Sequence, residues 1–327
     1  MVNRQIRLAA RPAGYPKESD LQLAEAPVPE PREGQVLVKT LWLSLDPYMR
    51  GRMNTMSIGD VIPGGTVGRI VTSKRSNLAE GDIVVGSYGW QEYAVSDGRD
   101  VREIDPKLAP ASTALGLLGM PGMTAYFGLL EIGHPKPGDT VVVSAASGAV
   151  GQVVGQIARI MDCRVVGIAG SEAKIRYIVD ELGFDAGINY KTQDVMSALP
   201  SACPDGVDVY FDNVGGAVAD AVLAHLASRA RVVICGQISQ YNLKKPELGP
   251  RILGAFLMHQ ARAEGFTSAQ FANHYDEGRR RLARWLNEGK LKYREDVVRG
   301  LENAPRAFIG LFKGENFGKL VVKVADE

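Results

Sequence analysis

The chain is 327 residues long, enough for about two domains of ~150 residues and for a core that needs no disulfide or metal staple. Its 38 lysines and arginines face 37 aspartates and glutamates, a net charge of +1, which leaves no general attraction to nucleic acid or to an anionic membrane. Three scattered cysteines, Cys163, Cys203 and Cys235, argue against a secreted disulfide scaffold and for a reducing cytoplasm, while 37 glycines, against about 23 at the usual ~7%, point to tight turns or close backbone–ligand approaches.

In chain order, the N-terminal stretch MVNRQIRLAARPAGYPKESD lacks the apolar centre of a secretory signal. Residues 1–110 read mostly as β, with alternating runs Val36–Leu43, Val67–Val71 and Ile83–Tyr88 punctuated by glycine, proline and aspartate. The run Leu108–Leu130 carries no charge and is long enough to span a bilayer, but Pro110, Pro121, Gly116, Gly119, Gly122 and Gly128 make it a buried helix pair or domain junction instead. From about 120 to 290, the strands Thr140–Ser144, Arg164–Ala169, Val207–Phe211 and Arg231–Cys235 alternate with the helices Gly151–Met161, Lys174–Leu182 and Ala217–Ala227, a βαβ pattern that implies a parallel, doubly wound sheet. Arg279, Arg280, Arg281 and Arg284 lie beside Phe271, Tyr275, Leu282, Trp285 and Leu286 at helical spacing, the pattern of an amphipathic helix with a solvated face. The tail ends in an isolated strand, Lys319–Val324, which is expected to pair back with the N-terminal β region.

The most informative segment is PGDTVVVSAASGAVGQVVGQIARIM, residues 137–161. A strand ends at Ser144, a turn of small residues follows, and a helix opens near Gly148–Gly151, with Ala146, Gly148 and Gly151 in the three positions of a dinucleotide-binding fingerprint. Gly148 would let the backbone approach a pyrophosphate, Gly151 would let the helix pack on the strand, and the helix N-terminus would present free N–H groups to the anion. At the end of the next strand, Gly167-Ile168-Ala169-Gly170-Ser171 contains no acid for ribose hydroxyls. Lys174 follows, where a lysine suits a 2′-phosphate and so NADPH, with Glu172 left open as a competing ribose ligand.

Other chemistries find little support. His134, His225, His259 and His274 stand alone, and no paired C-x-x-C, H-E-x-x-H or G-x-S-x-G motif occurs, so no metal and no serine nucleophile is expected.

The strings LSLDPYMRGRM (43–53), MPGMTAYFGL (120–129), AASGAVGQVVGQIAR (145–159), GINYKT (187–192), YFDNVGG (210–216), CGQISQYN (235–242) and GENFGKLVVK (314–323) resemble the zinc-independent medium-chain dehydrogenase/reductases over nearly the whole chain. The branch they look like is the prostaglandin reductase/leukotriene B4 dehydrogenase group, with curcumin reductases and alkenal double-bond reductases. The resemblance implies an α/β fold: a discontinuous GroES-like substrate and catalytic domain (1–122 and 292–327) around a Rossmann NADPH-binding domain (123–291). It implies that Ala149, Val150, Gly151 and Gln152 meet the pyrophosphate and that Lys174 and Tyr190 frame the 2′-phosphate. Asn213, Cys235, Gly236, Gln237, Ile238, Ser239, Tyr241, Phe256, Leu257, Met258 and Asn316 would line the rest of the cofactor site. Tyr241 and Tyr48 would face the substrate carbonyl as catalytic groups, with no metal.

The activity so implied is NADPH-dependent reduction of the C=C bond of an α,β-unsaturated ketone or aldehyde, by hydride addition to the β-carbon in a cytoplasmic homodimer. Proton delivery to the α-carbon is open between water and Tyr241. Two other readings stay open on the sequence: a quinone oxidoreductase on the same fold, and an NADPH-binding protein without turnover.

Overall fold

The computed structural model describes residues 1–105 and 109–326; Leu108, the first residue of the uncharged run, and residues 106–108 and 327 of the expected N- and C-terminal domain lie outside the described residues. The elements run β1 (Val2–Leu8), β2 (Leu21–Pro27), β3 (Val36–Ser44), α1 (Met49–Arg52), β4 (Thr66–Ser73), β5 (Ile83–Gly86), β6 (Tyr93–Ser96), β7 (Arg102–Glu103), α2 (Met120–Phe127), β8 (Thr140–Ser144), α3 (Gly151–Ile160), β9 (Arg164–Ala169) and α4 (Glu172–Arg176). They continue β10 (Ala186–Asn189), α5 (Val195–Ala202), β11 (Val207–Asp212), α6 (Gly216–Leu223), β12 (Leu226–Ile234), α7 (Leu253–His259), β13 (Arg262–Gly265), α8 (Tyr275–Asn287), β14 (Glu295–Arg299), α9 (Ala304–Leu311) and β15 (Lys319–Lys323). The chain divides into two compact units, Met1–Gly116 with Glu295–Glu327, and Leu117–Arg294.

The first unit is β-rich and GroES-like. Its main sheet runs β14-β15-β3-β4-β5-β7, with β6 also paired to β3. The final strand returns to the N-terminal sheet, antiparallel to β3 with Val321 opposite Ser44. It is not isolated, however. Strand β14 lies parallel beside it, Glu295 opposite Lys319. The sequence EDVVR hid this strand because it is charged, short and only half-buried. The core joins both chain ends: Ile6, Leu43, Leu45, Met49, Met53 and Trp90 pack with Leu301, Phe308, Leu320 and Val322. Trp90 meets Phe308 edge to face at 5.4 Å between ring centroids.

The second unit is a Rossmann sheet, wholly parallel, in the order β10-β9-β8-β11-β12-β13. Numbered within the unit this is 3-2-1-4-5-6, so the strand order reverses between β8 and β11. Strand β8 is buried along its length, as the run Thr-Val-Val-Val-Ser requires of a central parallel strand. Several boundaries differ from the sequence expectation. The helix expected over Ala217–Ala227 ends at Leu223, and β12 already begins at Leu226 rather than Arg231; a register shift and a left-handed Arg229 (φ +61°) let this strand start early. The helix expected from Lys174 begins at Glu172, because Ser171 caps it. The strand expected to reach Tyr88 stops at Gly86. The uncharged segment breaks into short helical pieces around Met120–Phe127, and among the described residues no helix is long and apolar enough to cross a membrane.

Candidate functional site

Strand β8 ends at Ser144 and the chain reverses through Ala145, which is left-handed (φ +49°). A Cβ on Gly151 would lie 2.4 Å from the Ala145 carbonyl oxygen and 2.8 Å from Ala146 Cα, so only glycine lets α3 start this close to the strand. Ala146 fills the first glycine position and is fully buried; Gly167 of β9 makes room for it, since a Cβ there would come within 2.9 Å of the Ala146 methyl. Gly148 is open except for the Ala145 oxygen, 3.1 Å from a Cβ placed on it. Among the described residues, the N–H groups of Ala149 and Val150 donate to no protein acceptor, whereas Gly148 N donates to Ala145 O (2.9 Å) and Gln152 N to Gly148 O (3.1 Å). Two free donors ahead of a ten-residue helix fit an anion such as a pyrophosphate.

Gln152 departs from its expected role. Its side chain is 1% exposed and turned inward, where Oε1 accepts from Tyr177 Oη (2.8 Å) and Arg294 N (3.0 Å) while Nε2 donates to Arg294 O (3.2 Å). It fastens the segment before β14 to α3, as Gln156 does through Lys292. Its side chain and N–H are thus committed within the protein, whereas the N–H groups of Ala149, Val150 and Gly151 donate to no acceptor among the described residues.

At the end of β9, Ser171 Oγ accepts from Lys174 N (3.3 Å) and caps α4. Tyr190, 44% exposed, lays its ring against Gly170, where a Cβ would be 2.9 Å from the hydroxyl. Lys174 and Tyr190 therefore flank one corner, Gly170–Ser171. Glu172 is engaged within the protein, its Oε1 accepting from Asn189 Nδ2 at 2.6 Å. That engagement weakens the competing reading of Glu172 as a ribose ligand.

After β11 and β12, two loops are stitched together. Ile238 N donates to Asn213 O (3.3 Å), and Ser239 donates to Val214 O through both N (3.1 Å) and Oγ (2.7 Å). The Asn213 side chain donates to Ser144 O (2.8 Å). Gly215 and Gly216 both take positive φ (+70° and +55°), which no residue but glycine adopts easily. Tyr241 Oη accepts from Gln237 N (3.2 Å) and lies over Gly236, leaving no room there for a larger residue without a shift. Burial pushes the Cys235 thiol up to about 12, with Asp212 adding to the effect, so it stays a protonated thiol. Phe256 packs on the unit's core, whereas Leu257 and Met258 are each 77% exposed on α7.

In the first unit, Tyr48 opens the turn into α1 and is 44% exposed. Partial burial, then the Asp46 carboxylate, pushes its hydroxyl up to about 12, with Arg52 opposing. Beneath it, Lys319 Nζ is 2.7 Å from Asp46 Oδ1 and donates to Leu45 O (3.1 Å), and Ser44 Oγ donates to Asp46 Oδ2. Asn316 is half-buried, its Nδ2 closing a local turn onto Gly318 O (3.0 Å). Among the described residues no group of three or more His, Cys, Asp or Glu side chains is placed to hold a metal.

Sequence reasoning passed over Asp212, Asp46 and Lys319. Asp212 carried a signal: a charged residue closing an apolar strand just before Asn-Val-Gly-Gly reads as a carboxylate folded back on its own turn.

Comparison with known proteins matches residues 4–104 to the N-terminal domain of oxidoreductase family and residues 149–283 to the zinc-binding dehydrogenase family. The NADPH-dependent curcumin reductase of Escherichia coli (strain K12) is 46% identical over 99% of this chain and 98% of its own. The NADP(+)-dependent 2-alkenal reductase of Nicotiana tabacum is 43% identical, also over 99% of this chain and 98% of its own. The crystal structure of CurA in complex with NADPH from Vibrio vulnificus superposes with a TM-score of 0.95 at 45% identity, covering 99% of this chain and 100% of that one. The chain belongs to the medium-chain dehydrogenase/reductase family, in the branch that holds curcumin reductase, prostaglandin reductase and 2-alkenal reductase.

Proposed function

We propose that this protein reduces the C=C bond of α,β-unsaturated ketones and aldehydes with NADPH. The observation that carries the reading is the cofactor half of the Rossmann unit. Free N–H donors at Ala149 and Val150 suit a pyrophosphate. Lys174 and Tyr190 flank a corner from which Glu172 is drawn away by Asn189, and this suits a 2′-phosphate. The relatives named for curcumin and 2-alkenal reduction, matched end to end, support the substrate class.

When bound, NADPH supplies the hydride that adds to the β-carbon of the enone. The protein's task is then to hold the negative charge that develops on the carbonyl oxygen. Hydroxyl donors do this without acting as strong bases. Tyr241 is built as such a donor: its oxygen accepts Gln237 N–H, and among the described residues its own proton goes to no acceptor. Tyr48, held protonated by its raised pKa of about 12, is the second candidate. The α-carbon proton would come from Tyr241 or from water.

The test is NADPH oxidation followed by absorbance with an enone, comparing the parent with Tyr241→Phe and Tyr48→Phe. Loss of one oxyanion donor lowers kcat by on the order of 10²–10³. Full activity in both variants would sink the tyrosine assignment, and turnover of quinones but not enones would replace the substrate class.

The same reading places the first unit as the substrate domain and the protein in the cytoplasm as a homodimer. The exposed edge strand β13 beside Leu253, Leu257 and Met258, each at least 77% exposed, supports pairing of two copies. Light scattering would then give twice 35.3 kDa.

A further inference from the structure

We propose that Asp212 is the positioning residue of the cofactor site, its carboxylate holding the phosphate turn after β8 and the loops after β11 and β12 in the arrangement that binds NADPH. The proposal rests on the reading of these loops as an NADPH site.

Asp212 closes β11 and is 3% exposed. Its Oδ1 accepts from Tyr210 Oη (2.8 Å), Val214 N (2.9 Å), Gly215 N (2.9 Å) and Ser144 Oγ (3.1 Å). Its main-chain oxygen accepts from Cys235 N (2.9 Å) and Gly236 N (3.0 Å). Ser144, the last residue before the phosphate turn, extends the network. Its Oγ accepts Asn213 N (2.9 Å) and its carbonyl accepts Asn213 Nδ2 (2.8 Å). One residue thus ties three loops that leave three adjacent strands, at the point where the strand order reverses and Rossmann sheets receive their ligand.

The chemistry of the acceptor explains why a carboxylate stands here. No lysine or arginine is hydrogen-bonded to Asp212 among the described residues, so neutral donors alone compensate the buried charge. Four donors converging on one oxygen suit an anion and overload a neutral amide. Tyr210, fully buried, has its pKa raised well above the ordinary value by burial and by Asp212, and so remains a donor throughout the working range.

The experiment measures the NADPH dissociation constant by cofactor fluorescence on the full chain, without enone, for the parent, Asp212→Asn, Ser144→Ala and the double variant. Melting temperature without cofactor is recorded in parallel. Each single variant is expected to weaken NADPH about tenfold, the difference between charge-assisted and neutral hydrogen bonds. The double variant should be no worse than the poorer single one, because both act through one network. A residue that serves folding alone would lower the melting temperature and leave the folded protein's affinity within twofold of the parent, and that result overturns the proposal. Should Asp212→Asn fail to fold, Ser144→Ala and Tyr210→Phe, each removing one donor, are read by the same criterion. A parent that binds NADPH but reduces no enone refutes the reaction alone, whereas a parent that binds no NADPH overturns both.

Discussion

Lys319→Met isolates one buried charge in the first unit and predicts a large loss of stability. The Lys319 and Asp46 side chains are 3% and 9% exposed, with Nζ and Oδ1 2.7 Å apart. Water screens such a pair poorly, so the energetics are those of breaking a buried pair, not of trimming a surface one. Once the ammonium is gone, Asp46 keeps, among the described residues, only Ser44 Oγ as a side-chain donor and has lost its buried counter-charge, while Leu45 O loses the Lys319 hydrogen bond. Removing one partner from a buried pair costs about 3–5 kcal/mol. At roughly 2–4 °C per kcal/mol for a unit of this size, the melting transition should fall by roughly 10 °C. The assay is urea unfolding and calorimetry of the parent, Lys319→Met, Asp46→Asn and the double variant Lys319→Met/Asp46→Leu. The double variant should recover more than half of the loss, since it removes both charges together. A single-variant loss below about 1 kcal/mol, the range of an exposed pair, would show that the Lys319–Asp46 pair is not energetically buried. So would a double variant as unstable as the two losses added together.

Lys174→Ala should raise the KM for NADPH by about 10- to 150-fold, the loss of a charge-assisted contact worth ~1.5–3 kcal/mol, and leave the KM for NADH nearly unchanged; equal effects on both would remove Lys174 from the 2′-phosphate. Glu295 carries a carboxyl whose Oε1 has no hydrogen-bond partner among the described residues while Oε2 accepts from Ser112 Oγ (2.7 Å), and burial raises its pKa against the opposing pull of Ser112 and Lys319. An acid with a raised folded pKa contributes fully below its ordinary value of 4.5, and that contribution is lost as pH climbs through the raised value. Glu295→Gln should therefore gain stability relative to the parent between pH 4 and pH 7, read by urea midpoints; a variant that loses ground over that interval contradicts the sign.

What could be read before folding was local. Thr140–Ser144 and Arg164–Ala169 coincide with β8 and β9 because a central parallel strand is an unbroken apolar run. The small-residue turn after β8 was equally visible, since the close approach at Gly151 is a contact with its own preceding turn, six residues away. Where local pattern and tertiary demand diverged, the reading failed. Leu226 and Ala227 continue the apolar character of α6, yet they belong to β12, because Val207 of β11 pairs with Leu226. Strand β14 looked like a charged loop because its pairing partner, β15, supplies the order.

The same division holds at the site. Residue order alone carried the βαβ alternation, the small-residue turn after β8, the absence of an acid within Gly167–Ser171, and the tyrosines worth testing. What those residues lean on came from the folded chain: Gln152 spent on the segment before β14, Glu172 engaged by Asn189, Asp212 gathering donors, and Lys319 paired with Asp46. The reason is distance along the chain. Ser144 and Asp212 are 68 residues apart, and Asp46 and Lys319 are 273 apart. Periodicity and motif spacing report only what a residue's near neighbours require, whereas a buried charge is compensated by whichever donors the fold brings to it.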